Sequence, residues 1–247
     1  MSYRNKHGLG RTISAEIKRE VRRRCGFGCV ICGLGFYDYE HFAPDFADAL
    51  VHDPAGITLL CMQCNQKRNR KVLSASTVAR YNANPKCLEE GFANEWLDIS
   101  TESIEVVFAG STFLDCRHIL SVRGDKVLSI LPPEFTGEPC RVSGLFADDT
   151  GATTLRIDQN QWIAGADNWD VEWVGNTLTI RKGLGDIVLV LKTYPPKRLV
   201  VERLNMQIND IYIKGDAKEM SFSKDGVKFL SLVTCNMRNV ETGVEIV

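Results

Sequence analysis

CVICGLGFYDYEHFAP, residues 29–44, sets Cys29 and Cys32 two residues apart and follows them, eight residues later, with Glu40-His41. Further on, LLCMQCNQKR, residues 59–68, repeats the cysteine spacing at Cys61 and Cys64 and runs straight into Asn65, Lys67 and Arg68. The two pairs are separated by 28 intervening residues. Two thiolate pairs, each at a tight turn, are what a tetrahedral all-cysteine zinc site needs. Four thiolates close the coordination shell, so such a zinc would be structural, stapling a region too small to fold on its own core. The competing reading is four small buried hydrophobes. A structural site has no use for Glu40-His41, so the stretch points to a second role.

The chain has 247 residues, 44% of them hydrophobic and 25% charged, as expected of a globular protein of one large or two smaller domains. No apolar run is long enough for a membrane helix. The opening MSYRNKHGLGRT lacks the apolar core of a secretory leader. The expectation is a cytoplasmic protein with no membrane partner, in which paired cysteines bind metal rather than form disulfides. Net charge is −1, but it is unevenly spread. Residues 1–80 carry 13 Lys or Arg against 7 Asp or Glu, a net of +6, and the remainder carries −7. A basic first third is consistent with a polyanionic partner and equally with a solvated surface.

Around the cysteines the pattern predicts a helix from Ser14, with Ile13, Ile17 and Val21 on one side and Gly26 and Gly28 at its end. Arg22, Arg23 and Arg24 lie on its remaining surface, tracking a nucleic-acid backbone or facing solvent. Residues 1–12 read as a flexible basic tail. Strands are predicted at 37–42 and 57–60, a loop at 43–55, and a helix from about Cys64 carrying Asn65 and Arg68. Another helix follows at 76–83, and KCLEEGFANEWLD reads as a linker helix. Beyond residue 100, short β-rich runs such as IEVVF, HILSV, DIVLVL and RLVVERL alternate with turn signals. Trp162, Trp169 and Trp173 cluster there, as a stacking surface or as β core.

CVIC, EHFAP and LLCMQCNQKR, taken together, resemble the zinc-bearing HNH endonucleases of the ββα-metal (His-Me finger) superfamily over residues 25–72. The resemblance implies that His41 is the general base and that Glu40 and Asn65 ligate a catalytic Mg²⁺ or Mn²⁺. It implies that Arg68 and Lys67 bind phosphate. Cys29, Cys32, Cys61 and Cys64 would hold a structural Zn²⁺. Two departures stand out. Gly56 occupies the place of the family's middle Asn, which orients the catalytic His. Either His52 or Asp53 takes over that task, or catalysis is weak or absent. Glu40 stands where Asp is commoner.

The expected fold class is therefore α+β: a small zinc-stapled ββα-metal HNH domain at 1–90, then an all-β domain (sandwich, barrel or solenoid-like) at 91–247. The implied function is metal-dependent hydrolysis of DNA phosphodiesters, of the kind found in bacterial restriction or anti-phage defence. The alternative is a zinc-stabilised nucleic-acid-binding module without useful catalysis. In either case the partner is nucleic acid, DNA first. The β-rich region is left to targeting, to regulation by a partner, or to assembly with a second copy.

Overall fold

The structure, a computed structural model, describes residues 4–247 and is mostly β. It divides into two compact units. The first comprises residues up to Glu95 together with Gly165–Asp170, and the second comprises Trp96–Ala164 and Val171–Val247.

In the first unit, helix α1 spans Ala15–Cys25. The Ser14 hydroxyl accepts from the Ile17 amide at its start, and Gly26 ends it in the left-handed region at φ 69°. A Cβ at Gly26 would also lie 2.8 Å from Cys87 Cβ, so the stop requires glycine on both counts. Strand β1, Asp38–His41, pairs antiparallel with β2, Ile57–Leu60, in a register that sets Glu40 opposite Thr58 and His41 opposite Ile57. Every residue of β2 is buried. Helix α2, Met62–Asn69, follows directly and packs on both strands. It begins two residues earlier than expected because the Cys61 sulfur accepts from the Cys64 amide and caps it. Val21, Cys25, Val30, Ile57, Leu59 and Val78 close a small core.

Helix α3, Ala75–Ala83, is capped by Ser74. The expected linker helix is instead a short helix, α4, Lys86–Glu90, and a strand, β3, Phe92–Trp96. Gly91 at φ 83° breaks the segment in two. The basic tail is also corrected. Arg4 and Gly10 form an antiparallel bridge, and the Asn5 amide donates to the Phe46 and Ala49 carbonyls. Lys6 pairs with Asp48, so this segment is held against the loop after β1.

The second unit is built from strands β4 (Glu105–Phe108), β5 (Ser111–Leu114), β6 (His118–Val122), β7 (Asp125–Leu131), β8 (Arg141–Ala147), β9 (Thr153–Asp158) and β10 (Gln161–Gly165). It continues through β11 (Asp170–Val174), β12 (Thr177–Gly183), β13 (Asp186–Tyr194), β14 (Arg198–Ile208), β15 (Ile211–Gly215) and β16 (Glu219–Ser223). Last come β17 (Leu230–Val233), β18 (Asn236–Arg238) and β19 (Thr242–Ile246). One sheet runs β19-β6-β7-β8-β9-β10 and the other β11 through β17 in order, with β4 parallel to β14. Tight hairpins explain the meander. Gln159-Asn160 and Asn209-Asp210 both take positive φ at two successive residues, the mirror-image turn whose twist matches the strands it joins. Along β14 apolar residues alternate inward, burying Leu199, Val201, Leu204 and Met206.

Trp162 and Trp173 stack at 5.6 Å; Trp162, only 1% exposed, is core, while Trp173 stays partly exposed beside it. Trp169 belongs to the first unit, where Arg19 lies over its ring at 4.8 Å.

Candidate metal centre and active site

The four cysteine sulfurs all lie within 4.8 Å of one another. Cys32 and Cys61 are 3.5 Å apart, and Cys32 and Cys64 4.0 Å. Tetrahedral zinc with Zn–S of about 2.3 Å requires sulfur separations of about 3.8 Å, so the cluster fits a zinc-sized soft cation. Local backbone builds both halves. The Cys29 amide donates to the Leu34 carbonyl and the Gly33 amide to the Cys29 carbonyl, folding the first knuckle, while the Val30 amide ties it to the Leu59 carbonyl on β2. The start of α2 forms the second. A hydrogen bond from the Cys32 thiol holds Cys29 down at about 5, while burial pushes Cys64 up to about 12. Crowded thiols thus share their protons, and a dication is what allows all four to be thiolates.

On β1, adjacent side chains point to opposite faces. His41 turns inward and is buried, its ring 5.4 Å from Phe46 and 5.1 Å from His52. His41 Nε2 lies 3.1 Å from His52 Nδ1. Burial holds His41 below the ordinary imidazole value, with the His52 and Arg11 charges acting in the same direction, so the ring favours its proton-accepting neutral form. Glu40 faces α2, where the Asn65 side chain hydrogen-bonds its carboxylate. Burial pushes Glu40 above the ordinary carboxylate range; Arg68 and the Asn65 hydrogen bond oppose this.

Arg68 donates to Asp45 and, at 3.4 Å, to the His41 carbonyl. Glu40, Asp45 and Arg68 line one open cleft of about 470 Å³. The fold therefore gathers Glu40, Asn65 and Arg68, whereas His41 meets Arg68 only through its backbone carbonyl and keeps its ring against Phe46 and His52. Lys67 is not gathered with them: it is exposed on α2, and its carbonyl accepts from the Val72 and Leu73 amides.

Gly56 has a steric reason. The Phe42 and Ala43 amides both donate to its carbonyl, and a Cβ there would sit 2.2 Å from the Ala43 oxygen. No side chain fits at this position. Of the two substitutes anticipated, His52 meets His41, whereas the Asp53 carboxylate accepts from the Ala55 amide and starts the turn before β2.

Arg11, Asp45 and Phe46 join the site without a signal in the sequence. The Arg11 guanidinium lies 4.5 Å over the Phe46 ring, and its charge acts on both Glu40 and His41. Arg22 and Arg24 are engaged within the first unit. Arg22 is buried in a bidentate pair with Asp170 and also donates to the Tyr39 hydroxyl. Arg24 donates to the Pro54 and Ile57 carbonyls. Of the three, Arg23 alone is exposed.

Searches against protein-family models, curated proteins and solved structures found no match. Among the described residues no helix is long and apolar enough to cross a membrane.

Proposed function

We propose that the first unit is a metal-dependent endonuclease of the HNH kind, acting on nucleic-acid phosphodiesters, with DNA as its first substrate. The observation that carries the reading is Glu40 on β1 set against Asn65 of α2, with His41 next to it in the chain and its ring held on the other face of the strand. An ion at the cleft edge would draw on the Glu40 carboxylate and on the Asn65 amide oxygen, which here accepts from Asn69, a hard donor set that suits Mg²⁺ or Mn²⁺. When bound there, such an ion supplies charge stabilisation for the scissile phosphate and the leaving oxygen. His41, neutral and fixed by its neighbours, takes a proton from the attacking water. Arg68 receives phosphate charge through its guanidinium. Cys29, Cys32, Cys61 and Cys64 would hold a zinc that staples the first knuckle, β2 and α2 and takes no part in the reaction, since four thiolates leave no open position.

The test is plasmid cleavage by the full chain in Mg²⁺ or Mn²⁺. His41→Ala is expected to lower the rate by about 10²–10⁴-fold, the usual worth of a general base. A wild-type rate equal to that of His41→Ala would overturn the reading. The second reading, a nucleic-acid-binding module without catalysis, is favoured by Gly56. It predicts retained DNA binding at low salt with no cleavage by either protein.

Asp45 bears on substrate binding. It holds the guanidinium that a phosphate would need, and it is itself 63% exposed. Releasing so exposed a pair is worth about 0.2–1 kcal/mol. Asp45→Asn should therefore lower KM about 1.4- to fivefold and leave kcat unchanged. An unchanged or raised KM in steady-state cleavage would show that Arg68 does not meet the substrate.

A further inference from the structure

We infer that His52 is the positioning residue of this site: its Nδ1 accepts a hydrogen bond from His41 Nε2–H, which orients the His41 ring and fixes its tautomer. Three observations lead there. His41 Nε2 and His52 Nδ1 are 3.1 Å apart, within hydrogen-bond distance. Two neutral imidazoles bond only if one nitrogen carries the proton and the other does not, so the contact selects one tautomer of each ring. A side chain at Gly56 is excluded, because its Cβ would sit 2.2 Å from the Ala43 oxygen.

The direction of the bond follows from what His41 must do. If Nε2 holds the proton and donates it to His52, Nδ1 keeps its lone pair. Among the described residues Nδ1 has no protein hydrogen-bond partner, and it is the nitrogen left to meet a water. The reverse assignment, with Nε2 accepting from His52, would put the His41 proton on Nδ1 and leave no ring nitrogen free to accept a proton. His52 then plays the part that a carboxylate or carbonyl plays behind other catalytic imidazoles, holding the ring from its far side. Phe46, edge-on to the His41 ring, limits its rotation from a second direction.

The catalytic meaning of this bond rests on the endonuclease reading, but the bond itself does not, and the experiment separates them. In ¹⁵N-labelled, zinc-loaded full-length protein, long-range ¹H–¹⁵N spectra report which His41 nitrogen is protonated. The wild type is expected to show a protonated Nε2 with a slowly exchanging proton. His52→Ala should lose that slow proton, and His52→Asn, whose amide oxygen can accept in place of Nδ1, should recover it. In cleavage, His52→Ala should lower kcat about 10–100-fold with KM within about twofold, and His52→Asn should regain most of the loss. A wild type with its His41 proton on Nδ1 overturns the assignment without any variant. So does a His52→Ala protein with unchanged spectrum and kcat. If the spectra behave as expected while the wild type cuts nothing, the positioning bond stands and the endonuclease reading falls.

Discussion

Stripping the metal from this protein is expected to unfold its first unit while leaving the β-rich unit folded. The hydrophobic core around β1, β2 and α2 is small. Burial on that scale does little more than offset the conformational entropy of ordering the chain, so a domain of this size needs a staple. Structural zinc supplies about 10–16 kcal/mol of apparent binding free energy in small zinc-dependent folds. That matches or exceeds the whole stability of an ordinary domain, about 5–15 kcal/mol. The cysteines are not peripheral to this core: Cys29, Cys61 and Cys64 are themselves buried members of it. One zinc per chain is expected by elemental analysis. A single melt should become two when a strong chelator is added or when Cys29→Ser or Cys61→Ser is introduced, the lower step being loss of the helical signal of α1 to α3. Zinc-free protein with an undiminished melt would show that the four thiols are only packed together.

The second large effect is expected at Asp170. Its carboxylate receives two parallel hydrogen bonds from Arg22, both of 2.8 Å, and the two side chains are 2% and 4% exposed. Burial disfavours the Arg22 charge, but the Asp170 hydrogen bond and the nearby Tyr39 and Tyr37 more than compensate, and the guanidinium is held above its ordinary range. Removing one partner of so dry a pair leaves the other charged and unpaired, at about 3–5 kcal/mol. Asp170→Ala should lose about that much in urea denaturation followed by signals of the first unit. Arg22→Met with Asp170→Leu, which removes both charges, should recover most of it. A loss below 1 kcal/mol for Asp170→Ala would contradict the account. One consequence concerns dissection. A fragment of residues 1–95 lacks Asp170 and leaves Arg22 buried without a counter-ion, so its failure to fold would say nothing against catalysis by the full chain.

Much of the first unit could be read in advance because its signals are short. A cysteine knuckle, a Ser14 cap and a Gly26 stop each involve residues within a few positions of one another, where backbone geometry alone decides which atoms meet. For the same reason the alternation of apolar residues beyond residue 100 announced a β-rich unit. The Cys61 cap was just as local, yet α2 starts earlier than expected because a sulfur, not a hydroxyl, does the capping.

What the sequence by itself determined, then, was the donor set of the metal centre, the strand that carries Glu40-His41, the helix that carries Asn65, and the absence of a side chain at Gly56. Only the tertiary structure decided which groups surround them. Asp170 reaches Arg22 across 148 positions, Arg11 and Asn5 return to the loop holding Phe46, Asp45 claims Arg68, and His52 rather than Asp53 meets His41. These partners are set by where the chain comes back in space. Any of several charged or aromatic residues would have satisfied the local pattern equally well, and long-range packing alone distinguishes them.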